Sequence, residues 1–374
     1  MMRALFIAAP VLALLTAEAS AVGEITFSIS KSPTANVSCS NGLCEPTGGN
    51  ANLNVSDLET LLAAGNLQIN AYNGKFHART VTVKDGFSWS AATGLTLAKL
   101  DVGKTISILG AGSLTSALSV KKEGKIQCAD LSCNVDGYTP VNSLQGLASA
   151  IAANPQGNYA LVHSYDASAD GTYTASPIAT NFLGNLYGLG NTISNISVAN
   201  TTACCVAGLF QSLSEGNIYD LHLTNVSVTS TAGAAGFAYE SFAEIFNSSV
   251  TGSINGGSAG DIGGFVADNY GTIRSSWSTA AVSTASSLTN ANVGGLVGVN
   301  YGGLLFTYST AAVRAGASVT DVNIGGLAGS NLSGIQGSFA TGNVSTGDGS
   351  GNIGGLAGLN SQSGYLEGTY AEGA

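Results

Sequence analysis

From residue 262 onward the apolar positions of the chain return on a nearly fixed count. The octapeptides "IGGFVADN", "VGGLVGVN", "IGGLAGSN" and "IGGLAGLN" start at 262, 293, 324 and 353, spacings of 31, 31 and 29. With the second glycine as anchor (Gly264, Gly295, Gly326, Gly355), an asparagine follows five places later each time: Asn269, Asn300, Asn331 and Asn360. Eighteen places after the first three anchors stand Val282, Val313 and Val344. Fainter copies set Gly236 ahead of Ile254 and Gly208 ahead of Val226 by the same count, so six coils are readable from about residue 206. Between Phe339 and Tyr370 the spacing is still 31, because "STGDGSGN" has shortened while "NSQSGYLEG" has lengthened. Length changes gather in loops while strand positions stay aligned.

Each unit holds two or three short β-prone runs separated by Gly, Asn, Ser and Asp, the chemistry of turns. One unit cannot bury its apolar face, but stacked units bury Ile, Leu and Val on their counterparts above and below. This predicts a β-solenoid with backbone hydrogen bonds between coils ~4.8 Å apart and the asparagines paired as a ladder. The Ile and Leu of "IGGL" would face opposite ways in a flat strand, which predicts a bend or bulge at the glycine pair. A phosphate loop does not fit, since no GK[ST] and no helical pattern follows any copy. Trp277, Tyr308, Phe339 and Tyr370 occupy matched positions. That in-register column reads either as a sugar-stacking stripe or as half-buried rings that stabilise the solenoid.

Two earlier stretches carry a helical period. "VSDLETLLAAGNLQI" offers Ser56 and Glu59 as a capping box, Leu58, Leu61 and Leu62 on one face, and Gly65 as a stop. "NSLQGLASAIAANPQ" sets Leu144, Leu147, Ala148 and Ile151 at helical spacing and ends at Asn154-Pro155. Between them, alternating residues and turn signals read as several short strands. The expectation is an all-β chain with two short decorating helices. It divides into a signal peptide (1–21), an N-terminal cap with β-helix strands (22–140), a helix-containing connector (141–205) and the repeat solenoid (206–374).

Composition narrows the partners. Of 374 residues only 9% are charged and 44% are hydrophobic, so the chain folds. A net charge of −10 without Lys/Arg clusters argues against nucleic acid or an anionic membrane surface. Met1-Met2-Arg3, the apolar run Ala4 to Leu15, and Ala19-Ser20-Ala21 read as an export signal cleaved near Val22. Export makes the six cysteines oxidisable. They fall as Cys39-x4-Cys44, Cys128-x4-Cys133 and the adjacent Cys204-Cys205, which suggests two short local loops, although six cysteines allow 15 pairings and the sequence does not choose among them. His77, His163 and His222 lie far from any cysteine pair, so disulfides are expected rather than zinc.

No catalytic motif emerges. The three histidines are followed by Ala, Ser and Leu, so there is no HExxH, and no GxSxG elbow is present. Glycosidases need two carboxyls ~5 to 9.5 Å apart. Asp261, Asp268, Asp321 and Asp348 are the candidates, and their contexts read as solvated turns. No enzyme activity, cofactor or metal is expected.

The stretch "FLGNLYGLGNTISNISVANTTACCVAGLF" followed by the "IGGLAG" ladder resembles the GLUG-repeat proteins, exported bacterial proteins related to filamentous haemagglutinin. "YTPVNSLQGLASAIAANPQGNYALVHSYDAS" is similar to the segment that often precedes such repeats, and "LETLLAAGNLQI…FSWSAATGLTLAKLDVGKTISI" looks like the haemagglutinin-type β-helix, so the likeness runs from about 52 to 374. It implies a right-handed parallel β-helix at a bacterial surface, used for adhesion to host cells or for biofilm. Carbohydrate, or host or bacterial surface proteins, would be the partners, and an outer-membrane transporter would serve export. The Asn-Pro-Asn motifs of two-partner secretion do not stand near the mature start. The last coil reads as unfinished, an open edge through which copies could associate. A β-helical polysaccharide lyase or glycosidase and an architectural stalk are the alternatives.

Overall fold

The computed structural model describes residues 23–201 and 206–373, so the export signal and the Cys204-Cys205 pair lie outside the described residues. The chain forms a β-solenoid of about 12 turns. Strands of successive coils pair in parallel, and like residues sit on like. Ile218, Ile245, Ile273, Leu304 and Ile335 are register partners in one such file, and all are fully buried. The sheet that holds them runs from Thr139–Val141 through nine strands to Tyr365–Glu367. Its rungs therefore begin ahead of residue 206, with Tyr159–Leu161 and Leu186–Tyr187 already in place.

The glycine pair marks a corner. Ile262–Gly263 and Val266–Asn269 belong to different sheets, and the chain turns between them. A corner, unlike a flat strand, lets residues three apart both point inward, and Ile262 and Phe265 are each fully buried. The two glycines meet different demands. A Cβ on Gly263 would lie 1.9 Å from the Val266 carbonyl oxygen of its own turn. A Cβ on Gly264 would lie 2.1 Å from the carbonyl oxygen of Gly295 in the next coil, and Gly295 and Gly326 face the coil beyond them at 2.2 Å. Only glycine permits this approach at each step.

The asparagine ladder forms as expected. The Asn269 side-chain amide donates to Asn300 Oδ1 at 2.9 Å, Asn300 to Asn331 at 2.8 Å, and Asn331 to Asn360 at 2.7 Å. Asn269, Asn300 and Asn331 are fully buried, so these bonds satisfy groups that water cannot reach.

The N-terminal lobe is also built mainly of parallel strands, including Gly94–Val102 against Ser113–Val120. One antiparallel hairpin, Val37–Ser40 with Leu43–Pro46, is closed by the Cys39–Cys44 disulfide, and Cys128–Cys133 closes a second short loop. Helix α1 spans Val55–Ala64 and buries Val55, Leu58 and Leu62. Its N-cap differs from the expected Ser56–Glu59 box: the Asn54 side chain accepts from Ser56 N–H, and Glu59 reaches away to accept from Ser88 N–H at 2.7 Å. Asn54 competes well because it caps equally and already sits at the end of a strand. Helix α2, Leu144–Ala153, is capped by Ser143 and buries Leu144, Leu147 and Ile151. The lobe continues into the solenoid: Ile126 N–H donates to Leu189 and Cys128 N–H to Val162, both at 3.0 Å. Among the described residues no helix is long and apolar enough to cross a membrane.

Candidate functional site

Trp277, Tyr308, Phe339 and Tyr370 are register partners on one sheet, with ring centroids 5.7, 5.0 and 4.9 Å apart and planes within 6° of parallel. Their neighbours Ser278, Ser309 and Ala340 point inward and are fully buried, so the rings point outward. The first three are half-buried and Tyr370 is exposed. Rings stacked on one another cover their own faces and offer outward their edges, which carry the positive part of the aromatic quadrupole. Phe242, Tyr270 and Tyr301 form a second outward column, with centroids 4.6 Å apart at each step. Its last two members follow Asn269 and Asn300 directly, a signal that the 31-residue spacing already contained.

The first column ends in a cleft of about 450 Å³ between the N-terminal lobe and the solenoid wall, within the usual range of small-molecule sites. Trp277 and Tyr308 line it, together with Thr224, Ser249 and Thr251 from successive coils, and Lys122 enters from the lobe. His222, also a lining residue, holds Ser249 Oγ at 2.9 Å through Nδ1, and its ring centroid lies 5.6 Å from that of Trp277. Burial pushes the His222 imidazole below its usual pKa, so it is neutral near pH 7, and burial raises the Tyr308 phenol, which keeps its proton. Asn247 ties the two regions together, donating to Val120 O of the lobe at 3.2 Å and to Asp220 Oδ1 at 2.5 Å. Asp220 is pushed up to about 7 by burial, although the Asn247 amide and Lys121 pull it back. Sequence reasoning missed this cleft because Lys122 and Trp277 meet only through the fold.

The four candidate aspartates separate into two groups. Asp321 and Asp348 are exposed, as their turn contexts imply. Asp268 instead has one carboxyl oxygen buried without a hydrogen-bond partner, and its side chain is hydrogen-bonded to Asp261. Burial first, then the charge of Asp261 and this hydrogen bond, raise the Asp268 pKa well above the carboxylate range. Asp261 Oδ1 accepts from Asn292 N–H at 3.0 Å and from its side-chain amide at 2.7 Å, and the raised pKa of Asp268 favours its protonated form. Carboxyls in direct contact leave no room for the sugar carbon and water that a glycosidase places between them. The pair instead ends a second ladder, in which Asn352 donates to Asn323 and Asn323 to Asn292, each at 2.8 Å. Among the described residues no three His, Cys, Asp or Glu side chains gather as a metal site.

Residues 137–252, which hold helix α2 and the first rungs of the solenoid, match the family model of the M26 IgA1-specific metallo-endopeptidase N-terminal region. The chain is similar to that region over about a third of its length. The match includes the whole segment expected above to precede GLUG-type repeats, and it describes that segment as part of an exported bacterial surface protein region. It is the N-terminal and not the catalytic part of that peptidase. The match and the solenoid together point to an exported bacterial β-helical protein. No curated protein matches the chain.

Proposed function

We propose that this chain is a non-catalytic attachment protein of the bacterial surface, an adhesin-like β-helix that binds carbohydrate or host or bacterial surface proteins. The observation that supports this is the pair of outward aromatic columns on a shaft whose repeat carries few charges. Soluble proteins rarely leave contiguous apolar strips uncovered without a use for them. Under this reading the GLUG-type repeats form the shaft, the first residues serve as a cleaved export signal, and the protein stays associated with the outer membrane or is released.

The match over residues 137–252 favours a second reading, in which the solenoid is the accessory arm of a protease and presents a substrate to a catalytic domain. Passing the purified chain over immobilised polysaccharides, surface-protein extracts and immunoglobulin A1 separates these readings, with retained protein and newly released sugar ends both recorded. Retention on polysaccharide or surface proteins without release supports attachment. Retention on immunoglobulin alone supports the protease arm, and release of sugar ends overturns the non-catalytic reading.

A further inference from the structure

The cleft at the head of the outer aromatic column has a more specific chemistry than the shaft. Lys122 is its one formally charged residue, is exposed, and makes no ion pair among the described residues, whereas its neighbour Lys121 is paired with Asp101 at 3.4 Å. The remaining wall consists of neutral hydroxyl, amide and imidazole groups and aromatic edges. Thr251 Oγ1 already accepts Asn225 N–H at 3.0 Å, so its own proton is left to donate. Thr224 and Thr251 stand on adjacent coils at a bulge between their strands, where both side chains line the cleft and offer hydroxyls to a polyhydroxylated ring. One cation in a chain of net charge −10 suits a ligand with a single negative charge and disfavours a polyanion.

We infer that this cleft binds a carboxylated pyranose, a hexuronate or a sialate, with Lys122 meeting the carboxylate. Thr224 and Thr251 meet the ring oxygens, and Trp277 and Tyr308 form the apolar wall. This rests on the attachment reading and gives it a ligand class.

Calorimetric titration of the whole chain at low salt with D-galacturonate, N-acetylneuraminate and neutral D-galactose tests it. At least one acid should bind about five- to tenfold more tightly than galactose, the margin expected of one charge-assisted contact. Lys122→Gln should remove that margin, Lys122→Arg should keep most of it, and the charge-matched Lys75→Gln on another loop should leave it intact. The two acids distinguish a plant-type from an animal-type glycan. If neither acid binds better than galactose, or if Lys122→Gln keeps the margin, the inference is overturned. Retention on neutral polysaccharide or protein would then still uphold attachment, whereas loss of retention on every surface would sink attachment as well.

Discussion

Of the aromatic columns that climb this solenoid, one of four rings runs inside and another of four rings runs outside. Phe182, Phe210, Phe237 and Phe265 stack at 6.2, 5.8 and 4.7 Å in the core and are fully buried. Trp277, Tyr308, Phe339 and Tyr370 stack at similar separations on the outer wall, half-covered or exposed. The geometry is alike because the coil spacing sets it in both places. The energetics differ, because burial of apolar area supplies most of what a ring contributes and stacking adds only about 0.5–1.5 kcal/mol. An aromatic column in a repeat sequence therefore says little about its role until its face is known.

The largest expected effect comes from setting the two columns against each other. Phe237→Ala should lower unfolding free energy by about 3–5 kcal/mol, through lost burial and a cavity. Tyr308→Ala should lower it by only about 1 kcal/mol. Urea denaturation measures both, and equal losses would break the distinction between the columns.

The same contrast between inside and outside applies to carboxyls. Asp268 and Asp220 have folded pKa values above the ordinary 3.8, Asp220 at about 7. The folded chain thus holds protons that the unfolded chain releases. Their protonated forms contribute stability that is fully present below pH 4 and is lost as pH rises through the folded pKa values. Unfolding free energy should fall by about 4 kcal/mol between pH 4 and pH 8 from Asp220 alone, with Asp268 adding to the fall. Asp268→Asn preserves the neutral form and should flatten that slope, whereas exposed Asp321→Asn should leave it unchanged. Stability measured across this range that does not differ between the two variants would contradict the protonated assignment.

The smallest effect concerns the open end of a ladder. Amides in the Asn269 file donate toward higher residue numbers, so Asn269 Oδ1 is left buried without a donor, and its register partner Ser241 has a buried hydroxyl without a partner. The Asn292 file runs the other way and ends on Asp261. Ser241→Asn would extend the first file by one donor and should raise stability by about 1 kcal/mol, read as a small rise in Tm. A fall would show that the space above Leu213 is too tight for an amide.

Much of the fold was legible in the chain itself. The 31-residue count located the rungs, the glycine pairs and the Asn269–Asn360 file, because in a parallel stack each residue meets its own counterpart. Both helices were legible from their apolar period. The Asn54 cap was not, because Ser56 and Glu59 satisfy the same local rule and only the position of Ser88 shows where Glu59 goes. Asp268 escaped for a related reason. A turn-like "ADN" looks solvated in isolation, yet Asp261 and the neighbouring coils bury it.

The sequence by itself determined a repeating β-solenoid and the files of like residues along it, which depend on near-neighbour or once-per-coil relations, whereas the pairing within the two short disulfide loops came from the structure. Tertiary structure alone decided which aromatic files face water, which aspartate keeps its proton, and that Lys122 of the N-terminal lobe stands across a cleft from Trp277. Those outcomes depend on which surfaces the corners and the lobe cover, and no local period in the chain encodes that covering.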